Sequence, residues 1–325
     1  MHSTMSSDLT SPSSTPSTTT PTKRDLVRQF EAERGRLLRC AYGMLGVVED
    51  AEDMVQESFV RLLRRPPDDD TRPLRPWLMR VVVNLCKDNL RRRRLKAYPG
   101  PWLPVPVSDV VMQDDGDWLL VDQDTPEGHF ATWEQASLGY LLALEALSPG
   151  VRAAWVLGEV LGYDGPDCAA ILDVTPAALR QQLARARKQL QPLTAEPQAR
   201  EPMRMRALSQ LLAAVADDDV DKLRALLHAQ VTAFNDGGGE VSAARNVVTG
   251  PDAVARLLVG LAHKSKGASL AVHQVGRQWM VRFHLPLRGK NTAPMSWLSV
   301  DVDDDGRITQ VFTLLAPSKV RQIRL

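Results

Sequence analysis

The sequence predicts a multi-domain protein in which two all-α parts are followed by a C-terminal α+β part. Its 325 residues are about twice the length of a typical domain, which favours more than one folded unit. Apolar residues recur at helical spacing in residues 23–98 and 136–191, whereas residues 203–325 combine helical and strand patterns. A Ser-, Thr- and Pro-rich tail, expected to be disordered, occupies residues 1–22, and a Pro-, Gly- and Asp-rich linker occupies residues 99–135.

Charge is divided unevenly along the chain, although the net charge is only +1. Residues 23–100 carry a net charge of +6, whereas residues 97–151 contain no Lys or Arg and carry −9. The later segments are again positive, at +1 for residues 152–190 and +4 for residues 196–325. The near-neutral average therefore does not exclude nucleic acid as a partner, because such block asymmetry is itself typical of interaction segments.

The first helical part contains two predicted amphipathic helices, of which the second carries a basic face. The first spans Ala51 to Leu63 behind an acidic turn and ends at a Pro-Pro pair. The second runs from about Trp77 to Leu95. Its polar stripe leads into an arginine run of the same charge, which indicates nucleic-acid contact rather than a solvated face. Stripe and run comprise Arg80, Asn84, Lys87, Arg91, Arg92, Arg93 and Arg94.

The second helical part ends in a helix-turn-helix pattern. A short helix around Asp167–Leu172 is followed by a turn and by a longer helix that starts at Pro176, with Thr175 as its N-cap. The longer helix has an apolar stripe and, on the opposite side, Arg and Gln side chains suited to hydrogen bonding with base edges. Helical hairpins imitate this pattern, but two basic helical parts joined by an acidic linker favour DNA binding.

Three motifs resemble those of the extracytoplasmic-function sigma factors in their order and spacing. Asp50–Phe59 resembles the helix that binds core polymerase, Trp77–Asn84 resembles the −10 recognition helix, and Asp167–Leu190 resembles the −35-reading helix-turn-helix. The resemblance implies that residues 23–98 form sigma region 2 and that residues 136–191 form sigma region 4. It further implies a cytoplasmic transcription initiation factor, neither enzyme nor membrane protein, whose partners are core RNA polymerase and promoter DNA.

The resemblance also implies roles for residues at matching positions. In the stripe defined above, Arg80 and Asn84 would face the −10 element and hold an unpaired base, while the four consecutive arginines would mainly hold phosphates. The residues implied to dock on polymerase are Asp53, Gln56 and Glu57. The residues that fall where the family contacts the −35 element are Arg180, Gln181, Ala184 and Arg185.

Further signatures resemble a subgroup of this family that carries a fused SnoaL-like C-terminal domain. The linker signature contains Trp102, Leu103 and Pro104, and the second signature contains Asp236, Gly237, Gly238 and Gly239. Glu240 stands where the subgroup has a basic residue, and Ala316–Val320 is a degenerate counterpart of a third signature. The resemblance implies an α+β cone built of helices and an antiparallel sheet. This domain would contact the sigma domains through the first two signatures and regulate activity, in response to an unknown small molecule or protein.

Two other classes of function remain open at this point. A helix-turn-helix regulator with a ligand-binding C-terminal domain would bind duplex DNA without polymerase, and a fused isomerase would turn over a small molecule. The Asp50–Phe59 motif argues against the first class. Against the second, all four Tyr residues precede the C-terminal domain, whose His residues have no catalytic spacing. Three widely separated Cys residues argue against a disulfide framework or zinc ribbon, and no metal or cofactor is expected.

Overall fold

The computed structural model describes the chain in segments, which are residues 22–67, 73–95, 100–107, 138–190, 200–276, 278–286, 289 and 291–323. Most of the 1–22 tail and most of the 99–135 linker lie outside these segments, so what the sequence predicts for them stays a prediction. The side chain of Arg94 also lies outside the described part of the chain.

The first helical group contains α1 (Lys23–Leu45), α2 (Val48–Arg64) and α3 (Leu74–Leu95). Thr22 and Asp25 form a capping box at the start of α1, and Gly46 ends the helix with a φ of 68°. Helix α3 starts before Pro76 rather than at the predicted Trp77, because proline is tolerated in the first turn of a helix. The apolar faces of the three helices pack on one another and bury, among others, Leu38, Leu62 and Leu78.

The second helical group contains α4 (Leu138–Ala146), α5 (Pro149–Trp155), α6 (Gly165–Leu172) and α7 (Pro176–Leu190). A π-helical turn over Val156–Val160 continues α5. Between α6 and α7, Asp173 turns the chain with a φ of 57°. The Ala178 amide donates to the Thr175 hydroxyl at 3.2 Å, which confirms the predicted N-cap of α7. The predicted helix-turn-helix is therefore present.

The two helical groups share one hydrophobic core. Cys40 and Cys86 from the first group and Cys168 from the second belong to the same buried cluster, and all three thiols are free of disulfides. The buried guanidinium of Arg152 donates to the Met44 carbonyl at 2.6 Å and thereby joins α5 to the end of α1. In this arrangement the two groups are packed together rather than separated by the linker.

The C-terminal domain combines helices with a six-stranded sheet, as predicted. Its helices are α8 (Glu201–Ala216), α9 (Val220–Leu226), α10 (Pro251–Lys264) and α11 (Pro317–Val320). Its strands are β1 (Leu227–Asp236), β2 (Val248–Thr249), β3 (Ser269–Val275), β4 (Gln278–His284), β5 (Met295–Val302) and β6 (Ile308–Leu314).

The strand order in the sheet is β2-β1-β6-β5-β4-β3. All neighbouring strands are antiparallel except β1 and β6, which pair in parallel from Leu227 and Ile308 onwards. The predicted antiparallel arrangement is therefore present in four of the five strand pairs, and the pairing of β1 with β6 departs from it. The parallel pair arises because the chain passes through α10 and four further strands between β1 and β6, which allows a crossover connection.

The two faces of the sheet are covered by different parts of the chain. On one face, Val281, Leu298 and Val311 pack against the helices α8, α9 and α10. On the other face, Trp297 and Phe312 belong to a buried cluster with residues from the linker and from α4. The linker and α4 residues of that cluster include Leu103, Val105 and Leu138. The sheet thus joins the C-terminal helices to the sigma-like helical groups.

Shortening a buried side chain of α3 should destabilise the fold more than shortening an exposed side chain of a neighbouring helix. We expect Leu78→Ala to lower the free energy of unfolding by about 2–5 kcal/mol, because Leu78 is fully buried and its removal leaves a cavity. Leu63→Ala, at an exposed position of α2, is the matched control and should change it by less than about 0.5 kcal/mol. Urea denaturation of both variants measures the difference, and equal losses would contradict the packing described for α3.

Candidate functional site

The predicted polymerase-docking residues lie on the outer side of α2. Asp53 and Gln56 are exposed, whereas Glu57 is half-buried. The Glu57 carboxylate accepts a hydrogen bond from Arg61 at 3.0 Å. On the inner side of the same helix, Val55 and other apolar residues enter the core. Helix α2 therefore offers a polar surface to a partner while its opposite face holds the fold together.

The side chains of the polar stripe predicted on α3 lie largely on the surface of the protein. Arg80, Asn84, Arg91 and Arg92 are exposed, and Lys87 is half-buried. Burial, reinforced by the nearby Arg91 charge, lowers the pKa of Lys87 below its ordinary value. Arg91 also forms an ion pair with the Asp88 carboxylate at 2.8 Å. The exposed part of the stripe is therefore predominantly basic, as the sequence predicts.

Arg93 departs from the predicted run of phosphate-binding arginines. Its guanidinium donates to the Leu45 carbonyl at 3.2 Å and to the Asp50 carboxylate at 3.0 Å, and its Cζ lies 4.2 Å from the centre of the Trp102 ring. The Glu145 carboxylate is 3.8 Å away. Arg93 is thus engaged at the junction of the two helical groups and the linker, and it does not contribute to the exposed stripe.

Arg80 also has an internal partner. Its guanidinium donates to the carbonyl of Ala170 on α6, although the side chain stays exposed. Helix α3 packs against α6 at this point. The candidate −10 stripe and the candidate −35 helix-turn-helix are therefore in direct contact.

The outward side of α7 carries the residues predicted to contact the −35 element. Arg180, Gln181, Ala184 and Arg185 are all exposed. The opposite side of the helix is buried at positions that include Leu179, Ala186 and Leu190. The sequence pattern therefore located this surface, because the alternation of apolar and polar positions along a helix fixes which side faces solvent.

Residues 102–105 of the linker, here named the linker strap, are bound from two sides. From the first helical group, the Tyr42 hydroxyl donates to the Val105 carbonyl at 2.8 Å, and the Gly46 carbonyl accepts from the Val105 amide at 2.8 Å. From the C-terminal domain, Asp236 accepts from the Leu103 amide at 2.7 Å, and Lys319 donates to the Leu103 carbonyl at 2.6 Å. The strap therefore connects the end of α1 to the C-terminal domain through backbone hydrogen bonds.

A buried ion pair holds the strap in the C-terminal domain. Lys319 donates to the Asp236 carboxylate at 2.6 Å, and its ammonium lies 3.7 Å from the centre of the Trp102 ring. Burial lowers the pKa of Lys319 to about 8, a shift that the Asp236 carboxylate opposes. Lys319 was not among the predicted site residues, although its place in Ala316–Val320, the degenerate third signature, was a signal for it.

The Asp236–Gly239 signature forms a tight turn behind this ion pair. The Gly238 amide donates to the Asp236 carboxylate at 2.8 Å. Gly238 has a φ of 61°, and a Cβ added there would lie 2.7 Å from the Cβ of Ala316, so both conformation and space require glycine. Glu240, the position of reversed charge, accepts a hydrogen bond from the Ser318 amide at 3.1 Å. The acidic residue therefore has a local partner at the start of α11.

Two further contacts connect the C-terminal domain to the helical groups. The Leu138 amide at the start of α4 donates to the side-chain carbonyl of Gln278 at 2.8 Å. Near the C-terminus, Arg321 lies 3.2 Å from the Glu49 carboxylate in the first turn of α2. The C-terminal domain therefore touches the first helical group, the strap and the second helical group at once.

Neither a membrane span nor a metal-binding cluster was found in the described segments. No helix there is long and apolar enough to cross a membrane. No group of three or more His, Cys, Asp or Glu side chains there is placed to hold a metal ion.

Two family matches coincide with the helical groups. Residues 29–96 match Sigma-70 region 2, and residues 138–190 match Sigma-70, region 4. The first match contains the stripe on α3 together with α2, and the second contains the helix-turn-helix of α6 and α7. The second match begins and ends with the described helices, whereas the first begins within α1 and ends just after α3.

Relatives extend the similarity into the C-terminal domain. The chain is 34% identical over 244 residues to the ECF RNA polymerase sigma factor SigJ of Mycobacterium tuberculosis (strain ATCC 25618 / H37Rv), covering 73% of each chain. It is 28% identical over 299 residues to the probable ECF RNA polymerase sigma factor SigI of the same species, covering 91% of this chain and 94% of that protein. The crystal structure of the M. tuberculosis extracytoplasmic function sigma factor SigJ matches with a TM-score of 0.65 at 28% identity, covering 92% of this chain and 99% of that chain.

Removal of the buried ammonium should destabilise the junction. We expect Lys319→Met to lower the free energy of unfolding by about 3–5 kcal/mol, because it leaves the buried Asp236 carboxylate without its counter-ion. Lys222→Met is the matched control, since Lys222 pairs with Asp217 and Asp219 on the surface and its loss should have little effect. Urea denaturation followed by tryptophan fluorescence measures both, and a Lys319→Met variant as stable as the control would contradict the role assigned to the ion pair.

Proposed function

Because this chain belongs to the extracytoplasmic-function sigma factors of RNA polymerase, we propose that the arrangement described above is a closed state, which the C-terminal domain holds together. As a sigma factor, the chain is a transcription initiation factor and not an enzyme. It binds core RNA polymerase and directs it to promoters, with region 2 reading the −10 element and region 4 the −35 element. We infer a cytoplasmic location, because polymerase and promoter DNA are its partners.

The residue roles in this proposal follow from the exposed surfaces. Asp53, Gln56 and Glu57 on α2 dock on core polymerase, and Arg80 and Asn84 on α3 contact the −10 element. Lys87, Arg91 and Arg92 hold the phosphates beside it, as does Arg94 in the prediction from sequence. The residues of α7 that read the −35 element in the major groove are Arg180, Gln181, Ala184 and Arg185.

The single observation that carries the closed state is the contact between α3 and α6. The −10 and −35 elements are centred about 25 base pairs apart, which is roughly 85 Å along B-DNA at about 3.4 Å per base pair. The Arg80 guanidinium, however, donates directly to the Ala170 carbonyl of the helix-turn-helix. Two surfaces in contact cannot lie on two sites so far apart. Promoter recognition by both regions therefore requires that region 2 and region 4 separate.

The C-terminal domain stabilises the closed state because it binds both the linker strap and region 4. It holds the linker strap through Asp236 and Lys319, and it holds the start of region 4 through the hydrogen bond between Gln278 and Leu138. Arg93, which the sequence places among the phosphate-binding arginines, is kept at the junction by Asp50. Opening therefore exposes buried contacts of the C-terminal domain and removes Trp102 and Glu145 from the surroundings of Arg93.

One experiment distinguishes this proposal from the other candidate function, a helix-turn-helix regulator that binds duplex DNA without polymerase. Run-off transcription with core polymerase should depend on this chain and on a template that contains both promoter elements. Gel-shift assays on the same template without polymerase should show much weaker binding. Tight duplex binding by the chain alone, without polymerase-dependent transcripts, would contradict the proposal.

Substitutions on α7 should weaken promoter recognition. We expect Gln181→Ala and Arg185→Ala each to reduce the affinity of the holoenzyme for the promoter by about 5- to 150-fold, because a base-reading side chain contributes about 1–3 kcal/mol. Gln189→Ala, exposed at the far end of the same helix, is the control and should leave affinity unchanged. Promoter titrations of the holoenzyme measure the effect, and three equal affinities would refute the assignment of this face.

Loosening the strap should activate transcription. We expect Lys319→Met to raise run-off transcription at limiting promoter by about 5-fold or more, because it shifts the equilibrium toward the open state. Lys222→Met controls for the loss of a surface charge in the same domain. A Lys319→Met variant that folds, binds polymerase and transcribes no better than the control would show that the C-terminal domain does not restrain initiation.

A further inference from the structure

We propose that the C-terminal domain binds an uncharged, largely apolar small molecule in a cavity between its helices and its sheet. The cavity has a volume of about 570 Å³, within the range of small-molecule sites in proteins. Binding of the ligand is independent of the proposed function. An effect of that binding on promoter recognition rests on the closed state proposed above.

The cavity is bounded by α8, α10 and the strands β3 to β6. Its walls are chiefly aliphatic and aromatic side chains, which favour the transfer of an apolar ligand out of water. They include Leu212 and Val215 from α8, Leu261 from α10, Phe283 from β4 and Leu298 from β5. A ligand there would be enclosed by helices on one side and by the sheet on the other.

The polar groups of the cavity indicate a ligand without charge. Ser296 and Thr313 lie on its sheet wall, where both residues are buried, so they offer hydroxyl groups to a ligand carbonyl or hydroxyl. The ionisable lining residues Asp218, His263 and Lys266 are all exposed, which places them at the rim, where Asp218 and His263 lie 3.3 Å apart. An ion seated against the apolar walls would be desolvated without a counter-ion, so an uncharged molecule is favoured.

A second observation supports an apolar ligand. Leu270 and Val272 on the edge strand β3 are 55% and 39% exposed, although both are large hydrophobic residues. Leu270 lines the cavity, and its register partner Phe283 lines it as well. The apolar surface therefore continues from the interior to the edge of the sheet. A ligand in the cavity would cover part of this exposed apolar surface.

The sheet connects this cavity to the linker strap. Successive side chains of a strand point to opposite faces, so the residues between cavity residues face the other side. On β5, Ser296 and Leu298 line the cavity, whereas Trp297 belongs to the cluster that contains Leu103 of the strap. On β6, Phe312 and Leu314 alternate in the same way with cavity residues. A ligand would therefore contact the same two strands that hold the strap.

The test uses the full chain and N-phenyl-1-naphthylamine, an uncharged apolar dye whose fluorescence rises in an apolar site. We expect saturable binding with a micromolar Kd. Ala262→Trp, which fills the cavity from α10, should weaken binding at least 10-fold. Lys264→Trp adds the same side chain at an exposed position of the same helix outside the cavity lining and should leave the Kd unchanged. Leu261→Trp is a second filling variant, and thermal unfolding checks that each variant is folded.

Two results would overturn the inference. One is an absence of saturable dye binding by the wild-type chain. The other is equal binding by folded Ala262→Trp, Leu261→Trp and Lys264→Trp, which would place the dye on the exposed β3 surface instead. Run-off transcription by the wild-type chain is measured in parallel, so that a failure of the sigma proposal is distinguished from a failure of the cavity proposal.

Discussion

The buried carboxylate of Asp236 is the constraint on which the arrangement of the domains depends. An ionised carboxylate withdrawn from water costs several kcal/mol unless it is paired and hydrogen-bonded. Asp236 is fully buried and accepts hydrogen bonds from Lys319, from the Gly238 amide and from the Leu103 amide. Only the third of these donors lies outside the C-terminal domain. The Asp236 carboxylate therefore has all three of its donors only when the linker strap is in place.

The same junction links region 2 to the C-terminal domain through one aromatic ring. The Trp102 ring lies between two cations, Lys319 at 3.7 Å and Arg93 at 4.2 Å. Cation–π contacts contribute more where the cation is desolvated, as the buried Lys319 is. Because Arg93 also binds Asp50 on α2, movement of the strap changes the surroundings of a region 2 arginine directly. No separate relay between the domains is required.

Much of the fold and of the candidate DNA-binding surface was predictable from local sequence pattern. Helical periodicity, the N-cap at Thr175 and the exposed face of α7 depend on residues a few positions apart, and the structure agrees with them. The engagement of Arg93, the parallel pairing of β1 with β6 and the role of Lys319 depend on partners distant in sequence. Lys319 and Leu103, for example, are separated by 216 positions. A contact between residues so far apart leaves no periodic pattern in the sequence, so only a family signature could indicate it.

The proposed closed state leaves the candidate polymerase-docking surface exposed while it occupies the candidate −10 surface, which implies an order of events. Asp53 and Gln56 are exposed on α2, whereas Arg80 on α3 is bonded to α6. Polymerase docking on α2 is therefore compatible with the closed state, and simultaneous reading of both promoter elements is not. A partner shifts such an equilibrium only by its differential affinity for the two states. Core polymerase must accordingly bind the separated regions more tightly than the closed chain, and that difference must exceed the free energy with which the C-terminal domain holds the strap.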